Sequence, residues 1–346
     1  MRALITGGAG FIGSHLADML LKQGHQVSVL DNLSTGRLEN IAHLQGRSGF
    51  TCTIDSVTND AVVGDLVDRA DVVFHLAAAV GVKLVVQKPV HTIETNVHGT
   101  ETVLRHASRS RKLVLVASTS EVYGKGIKLP FTEDADLVLG GPSKTRWGYA
   151  TSKLLDEFLA LAYWKEHQSP VVVVRLFNTV GPRQSSRYGM VLPNFVKWAL
   201  QGAPITIHGD GSQTRSFTWV GDVVSAMLAL VQEPKAVGEV FNIGNGAEVS
   251  IRELAERVIA MTQSDSTLQF VSYAQAFDAS FEDMARRVPD ITKIRQYVGY
   301  RPTVHLNEII ERVIDFWRPE QLVTAPRVVP QLVSPLGVLK PAVSTP

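Results

Sequence analysis

The feature that most constrains this chain is a short apolar run that breaks into glycines and resumes as a helix. Residues 3–5, Ala3-Leu4-Ile5, read as a buried strand, and Gly7-Gly8-Ala9-Gly10 as a tight turn. Ile12, Leu16, Met19 and Leu20 then fall on one face of a helix. The glycines fit both Gly7-x-x-Gly10-x-x-Gly13 and Gly8-x-Gly10-x-x-Gly13. Without side chains, backbone N–H groups at a helix N-terminus can approach a pyrophosphate, and the helix dipole favours its charge. A glycine turn alone is common. Here a second strand, residues 26–30, ends in Asp31, eighteen residues beyond Gly13, where a carboxylate can accept hydrogen bonds from an adenosine ribose. The two features together predict a dinucleotide site.

Strand–helix alternation continues past Asp31. Asn32-Leu33-Ser34-Thr35-Gly36-Arg37 is a polar loop placed to wrap the adenosine, with Asn32, Ser34 and Gly36 as its contacts. Residues 50–54 read as a strand ending at Asp55-Ser56, a pair that suits either an adenine edge or a helix N-cap. Residues 71–79 read as a buried strand running into Leu76, Ala77, Ala78 and Ala79, whose small side chains leave room for a cofactor. His75 within it reads as a packed strand residue. A helix over 92–108, a strand over 112–118, a helix over 149–167 and a strand over 171–177 follow. This order predicts an α/β fold, a Rossmann-type doubly wound parallel sheet with helices on both faces. Beyond Asn178 the segments shorten and Gly and Pro recur, which predicts a smaller, mixed α/β C-terminal substrate domain. The expected division is a nucleotide-binding domain over 1–178, a substrate region over 179–318 and a disordered tail over 319–346, where six prolines occur in 28 residues.

Composition narrows the partners. Thirty-four Lys and Arg against 33 Asp and Glu leave a net charge of +1, so no basic excess points to nucleic acid. An anionic ligand must be held by local arginines. A single cysteine, Cys52, excludes an intrachain disulfide and a thiolate zinc cluster, and fits a reducing compartment. His91, Glu94 and His98 recur at helical spacing but read as a polar helix face, so no metal is expected. There is no apolar run of about 18 residues to span a bilayer, and the first strand begins too close to Met1 for a signal peptide. The chain is expected to be cytoplasmic, without nucleic-acid or membrane partners.

Two constellations carry chemistry. In Tyr149-Ala150-Thr151-Ser152-Lys153, the i and i+4 positions share a helix face, so Tyr149 and Lys153 point the same way. A free phenol, with a pKa near ~10, is a poor base at neutral pH. A neighbouring ammonium and a cationic nicotinamide would favour the phenolate. Ala117-Ser118-Thr119-Ser120-Glu121-Val122-Tyr123-Gly124 follows the fifth strand, and Thr119 can hydrogen-bond the oxygen that Tyr149 deprotonates.

These motifs, with Asp31-Asn32, His75-Leu76-Ala77-Ala78, Arg175-Leu176-Phe177-Asn178, Gly181-Pro182-Arg183, Gly209-Asp210-Gly211, Thr214-Arg215-Ser216-Phe217 and Phe241-Asn242-Ile243-Gly244, occur in one order over residues 1 to about 317. As a set they resemble the extended short-chain dehydrogenase/reductases that act on nucleotide sugars. The resemblance implies a bound, recycled NAD, with Asp31 favouring NAD over NADP. It places Gly7, Gly10, Phe11, Ile12, Gly13, Asn96 and Ser118 at the cofactor, with Tyr149 and Lys153. It makes Tyr149 the base for a sugar 4-hydroxyl, giving a 4-keto sugar, with Lys153, Thr119 and Glu121 as its catalytic partners. Asn178, Arg215 and Arg287 are implied at the nucleotide diphosphate, His208 at uracil, and Arg183 at either a 6-carboxylate or the Gly-Pro turn.

Thr119-Ser120-Glu121 resembles the UDP-glucuronate decarboxylases most, whereas a 4,6-dehydratase would carry Asp at Ser120. UDP-glucose or UDP-glucuronate 4-epimerisation is the alternative, and Gly81-Val82-Lys83-Leu84-Val85-Val86 departs from the decarboxylase pattern. From a different class, a non-catalytic NAD-binding regulatory protein is opposed by the intact Thr119, Tyr149 and Lys153. A homodimer through the helices at 92–108 and 149–167 is implied by resemblance.

Overall fold

The computed structural model describes residues 1–187, 189–276 and 284–318. The tail expected at 319–346 lies outside them. Strands β1 (Arg2–Thr6), β2 (Gln26–Asp31), β3 (Phe50–Ile54), β4 (Val72–His75), β5 (Leu113–Thr119) and β6 (Val171–Leu176) alternate with helices α1 (Phe11–Lys22), α2 (Asp60–Arg69), α3 (Val82–Gln87), α4 (Pro89–Arg109) and α5 (Trp147–His167). Successive strand residues point to opposite faces. Leu4, Val73, Val114 and Val173 therefore pack under α2, α4 and α5. Ala3, Ile5, Val27, Phe74 and Val172 pack on the other face with α1 and the helix Val220–Gln232. Near-continuous apolar strands such as Val171–Leu176 are what a sheet covered on both faces requires.

The sheet has seven strands, in the order Val240–Ile243, β6, β5, β4, β1, β2, β3, with every pair parallel. The order reverses between β1 and β4. A crevice opens there beyond the carboxyl ends of the strands, and the site lies in it. The expected doubly wound α/β fold is thus the observed one.

The division at residue 178 is not so simple. Val240–Ile243 returns to pair with β6 at the edge of the large sheet, and Ile294 and Tyr300 join the same core. The second core is assembled discontinuously from Leu192, Phe195, Ile205, Phe217, Leu254, Ile310 and their neighbours. The chain therefore crosses between the two cores more than once, and an expected boundary becomes an interleaving. Residues 82–87, read as a loop, form the six-residue α3. The helix carrying the tyrosine begins at Trp147 rather than Tyr149. No helix among the described residues is long and apolar enough to cross a membrane.

Candidate active site

A cavity of about 1140 Å³ runs along the switch point, from the glycine turn to the second core. Its floor is the β1–α1 turn. The Gly7 N–H donates to the Leu30 carbonyl at 2.7 Å, and the Gly10 N–H to the Gly7 carbonyl at 3.1 Å. A Cβ on Gly13 would lie 2.3 Å from the Gly7 oxygen, so only glycine lets the helix start this close to the turn. A Cβ on Gly10 would meet only that oxygen, at 3.0 Å, and otherwise project into the cavity. That is the room a pyrophosphate needs over the α1 N-terminus. Asn40, which sequence reading missed, donates to the Ala9 carbonyl at 2.8 Å and ties the turn to the segment after β2.

Asp31 closes the adenosine end. Its carboxylate accepts from the Ala9 and Leu33 N–H groups at 2.9 and 2.8 Å. Burial lifts its pKa, while those N–H bonds and one from Gly10 oppose the lift. Asn32, Ser34 and Asp55 share this rim, and Phe11, Ile12, Leu76, Ala77 and Ala78 line the interior with Ser118. These features fit NAD. Three expected contacts lie outside the lining. Gly36 backs the Asp31 carboxylate, where a Cβ would come within 2.7 Å of both oxygens. The Ser56 hydroxyl pairs with Thr58, and the α2 N-cap is Asn59 rather than Asp55 or Ser56. Asn96 is wholly buried, accepting from the Ala79 N–H at 2.8 Å and donating to the Ser152 hydroxyl at 3.0 Å. It shapes the wall from behind.

At the far end of the floor, Thr119, Glu121, Tyr149 and Lys153 all face the cavity. Burial, then the Glu121 carboxylate, push the Tyr149 phenol above its ordinary range, opposed by a hydrogen bond with Thr119. Lys153 lines the same stretch of the cavity. Its ammonium donates to Asp156 at 2.6 Å, and both side chains are buried. The lysine expected to favour the phenolate together with the nicotinamide is thus also the ion-pair partner of a buried acid. His75 is held between the Thr6 and Thr100 hydroxyls at 2.8 and 3.0 Å, and burial lowers its pKa to about 3. It is a neutral packed residue.

Glu121 is the centre of a charged cluster. Its Oε1 accepts from Arg287 Nη1 at 3.1 Å and lies 3.6 Å from Arg146 Nη2. Arg146 went unnoticed in the sequence, although it stands one helical turn before Tyr149. Arg287 arrives from the far end of the chain because Phe131 and Pro289 form a bridge, with the Phe131 N–H donating to Val288 and the Asp290 N–H to Phe131. That bridge rests on a buried network. Arg175 donates to Glu157 at 2.8–3.2 Å and to Tyr123 at 2.9 Å, Tyr123 donates to Asn242, and Asn242 donates to the Phe131 carbonyl. The motif residues Tyr123, Arg175 and Asn242 thus fix the cluster without facing the cavity.

Asn178, Arg183, His208, Arg215 and Arg287 all line the cavity. Asn178 donates to the Ser216 carbonyl at 2.9 Å, and Arg215 to the Thr214 carbonyl at 2.7 Å. Arg183 pairs with Asp18 at 2.8 Å and so ties the segment after the Gly-Pro turn to α1.

Residues 4–313 match the family described as GDP-mannose 4,6 dehydratase. The chain belongs to this family. It is an NAD-dependent nucleotide-sugar enzyme of the extended short-chain dehydrogenase/reductase type. Among its relatives, the UDP-N-acetyl-alpha-D-glucosaminuronate decarboxylase of Bacillus cytotoxicus is 42% identical over 318 residues, covering 92% of this chain and 98% of that one. UDP-glucuronic acid decarboxylase 1 of Xenopus tropicalis is 38% identical, covering 92% and 72%. The fold is similar to that of UDP-glucuronic acid 4-epimerase from Bacillus cereus, solved with UDP-glucuronic acid and NAD, with a TM-score of 0.82, 30% identity and coverage of 91% and 98%.

Proposed function

We propose that the enzyme decarboxylates a UDP-hexuronate, UDP-glucuronate or its 2-acetamido counterpart, through a transient 4-keto sugar. The observation that carries this reading is Glu121, held between Arg287 and Arg146 beside Tyr149. A 4-epimerase needs a base at the 4-hydroxyl but no acid/base group at C5, whose bonds it leaves intact. A decarboxylase also needs an acid/base group near C5, which Glu121 offers, and Arg146 stands beside it to receive the carboxylate. The decarboxylase names of the relatives at 42% and 38% identity support it.

Tyr149 Oη takes the proton of the sugar 4-hydroxyl, with Thr119 hydrogen-bonded to the phenol. NAD, when bound, supplies the acceptor for the C4 hydride and later its donor. The 4-ketone makes the 6-carboxylate a β-keto acid. Its C5–C6 bond breaks to release CO2, and the electron pair passes into an enolate across O4, C4 and C5. Glu121 passes a solvent-derived proton to C5 in place of the lost CO2, restoring the 4-ketone, and Tyr149 returns its own proton to O4 as C4 is reduced. Asn178 and Arg215, with Arg287 as a further cation, serve the diphosphate, and His208 the uracil. The enzyme works as a homodimer. Val90 and Ile93 of α4 and Leu155 and Phe158 of α5 are exposed apolar residues on adjacent helices, and a second copy would cover them. A single cysteine suits the cytoplasm.

Incubation with UDP-glucuronate and with UDP-N-acetylglucosaminuronate, with products followed by mass, tests the reaction. Loss of the mass of CO2 supports it. Unchanged mass with an altered sugar spectrum replaces it with epimerisation, and no turnover of either substrate sinks it.

A further inference from the structure

A second acid stands behind the site and has no part in the chemistry above. Asp156 lies one turn beyond Lys153 on α5, with no exposed surface and outside the cavity lining. Its Oδ2 accepts from the Lys153 ammonium at 2.6 Å, and its carboxylate is wholly buried. Around it stand Lys153 and Glu157 from its own helix and the Thr100 hydroxyl from α4. Thr100 continues to His75 at 3.0 Å, His75 to Thr6 at 2.8 Å, and the Ala77 N–H donates to Thr6 at 3.2 Å. A line of polar groups thus runs under the floor from the β4 end to Lys153.

We propose that Asp156 is a positioning residue that acts on Tyr149 through Lys153, tethering the ammonium and offsetting part of its charge at the phenol. This rests on Tyr149 being the base. A buried carboxylate is costly unless paired, and Lys153 is its only salt-bridge partner among the described residues. Tyr149 and Lys153 stand one turn apart on α5 and both line the cavity, whereas Asp156 lies outside it, so the pairing sets an acid on the far side of the lysine. Lys153, Glu121 and Arg287 share the cavity with the phenol; Glu121, and Asp156 from behind, disfavour its ionisation, and Arg287 favours it. Of these, Asp156 alone is out of reach of substrate, so its effect persists through the reaction.

The test is a pH titration of phenolate absorbance in the NAD-loaded protein, with Tyr149→Phe as the blank that removes the other tyrosines. Asp156→Asn is expected to move the appearance of the Tyr149 phenolate to lower pH, giving about a threefold to tenfold larger ionised fraction on the rising limb. Asp156→Leu, which also removes the charge at similar volume, is expected to do the same and carries the test if the Asn variant does not fold. A phenolate curve that coincides with wild type, or moves to higher pH, overturns the proposal. Loss of thermal stability alone would mark Asp156 as structural and also overturns it. Because no sugar is present, the result is independent of which substrate turns over. Persistent activity of Tyr149→Phe in the product assay would instead remove the base on which the proposal rests.

Discussion

Arg287 and Glu121 meet at 3.1 Å although 166 residues separate them. The contact joins the turn after β5 to the segment that bridges to Phe131 through Pro289, and both partners line the cavity with Tyr149. Each partner is nearly buried, so the pair is held with little solvent screening.

Removing either member should therefore separate decarboxylation from cofactor binding. Glu121→Gln and Arg287→Ala are each expected to lower kcat for CO2 release about 100-fold while retaining NAD. Arg287→Lys should recover little, because an ammonium lacks the planar fork of a guanidinium. Product mass and NAD content of the purified variants check both statements.

Tyr149→Phe keeps the ring and removes the hydroxyl. Hydride transfer is expected to fall by about 10²–10⁴-fold, the usual worth of a positioned acid or base. Rapid absorbance measurement of cofactor reduction on mixing with substrate reads the loss directly, and an active variant takes Tyr149 out of its role.

Gly13→Ala would drive a Cβ to 2.3 Å from the Gly7 oxygen. The turn must open, at a cost of about 1–3 kcal/mol in the range of overpacked sites. A lower melting temperature together with sub-stoichiometric NAD is expected, whereas Gly24→Ala, with open space around it, should leave NAD content unchanged.

The pH dependence of stability follows from His75. Its folded pKa, about 3, lies below the ordinary value of 6.5, because burial disfavours the charged ring. The unfolded chain takes up a proton that the folded one refuses. Stability from this group is complete above about pH 6.5 and is lost as pH falls toward 3, at about 1.4 kcal/mol per unit. His15, lowered to about 4 by burial, acts in the same direction. Urea unfolding between pH 7 and 5 should show a shallower slope for His75→Gln than for wild type.

Phe158→Glu puts a charge into the exposed apolar surface of α5. Sedimentation is expected to show monomer for the variant and dimer for wild type. A wild-type monomer would remove the dimer from the proposed function.

What the sequence determined by itself is local. Apolar alternation and period 3.6 mark the strands and helices because each signal is complete within a few residues. The glycine turn, Asp31 at the end of β2 and the Tyr149/Lys153 spacing are readable for the same reason, since a turn or one helical face needs no distant partner. The tertiary structure decided which distant groups meet. It returned Val240–Ile243 to the sheet edge, turned Arg183 to Asp18, buried Asn96 behind the wall and set Arg146 and Arg287 on Glu121. It also paired Lys153 with Asp156, three residues away but outside the motif that draws the eye. A charge in a sequence carries no sign of what will neutralise it, because that depends on where the chain crosses itself and how much water the crossing excludes.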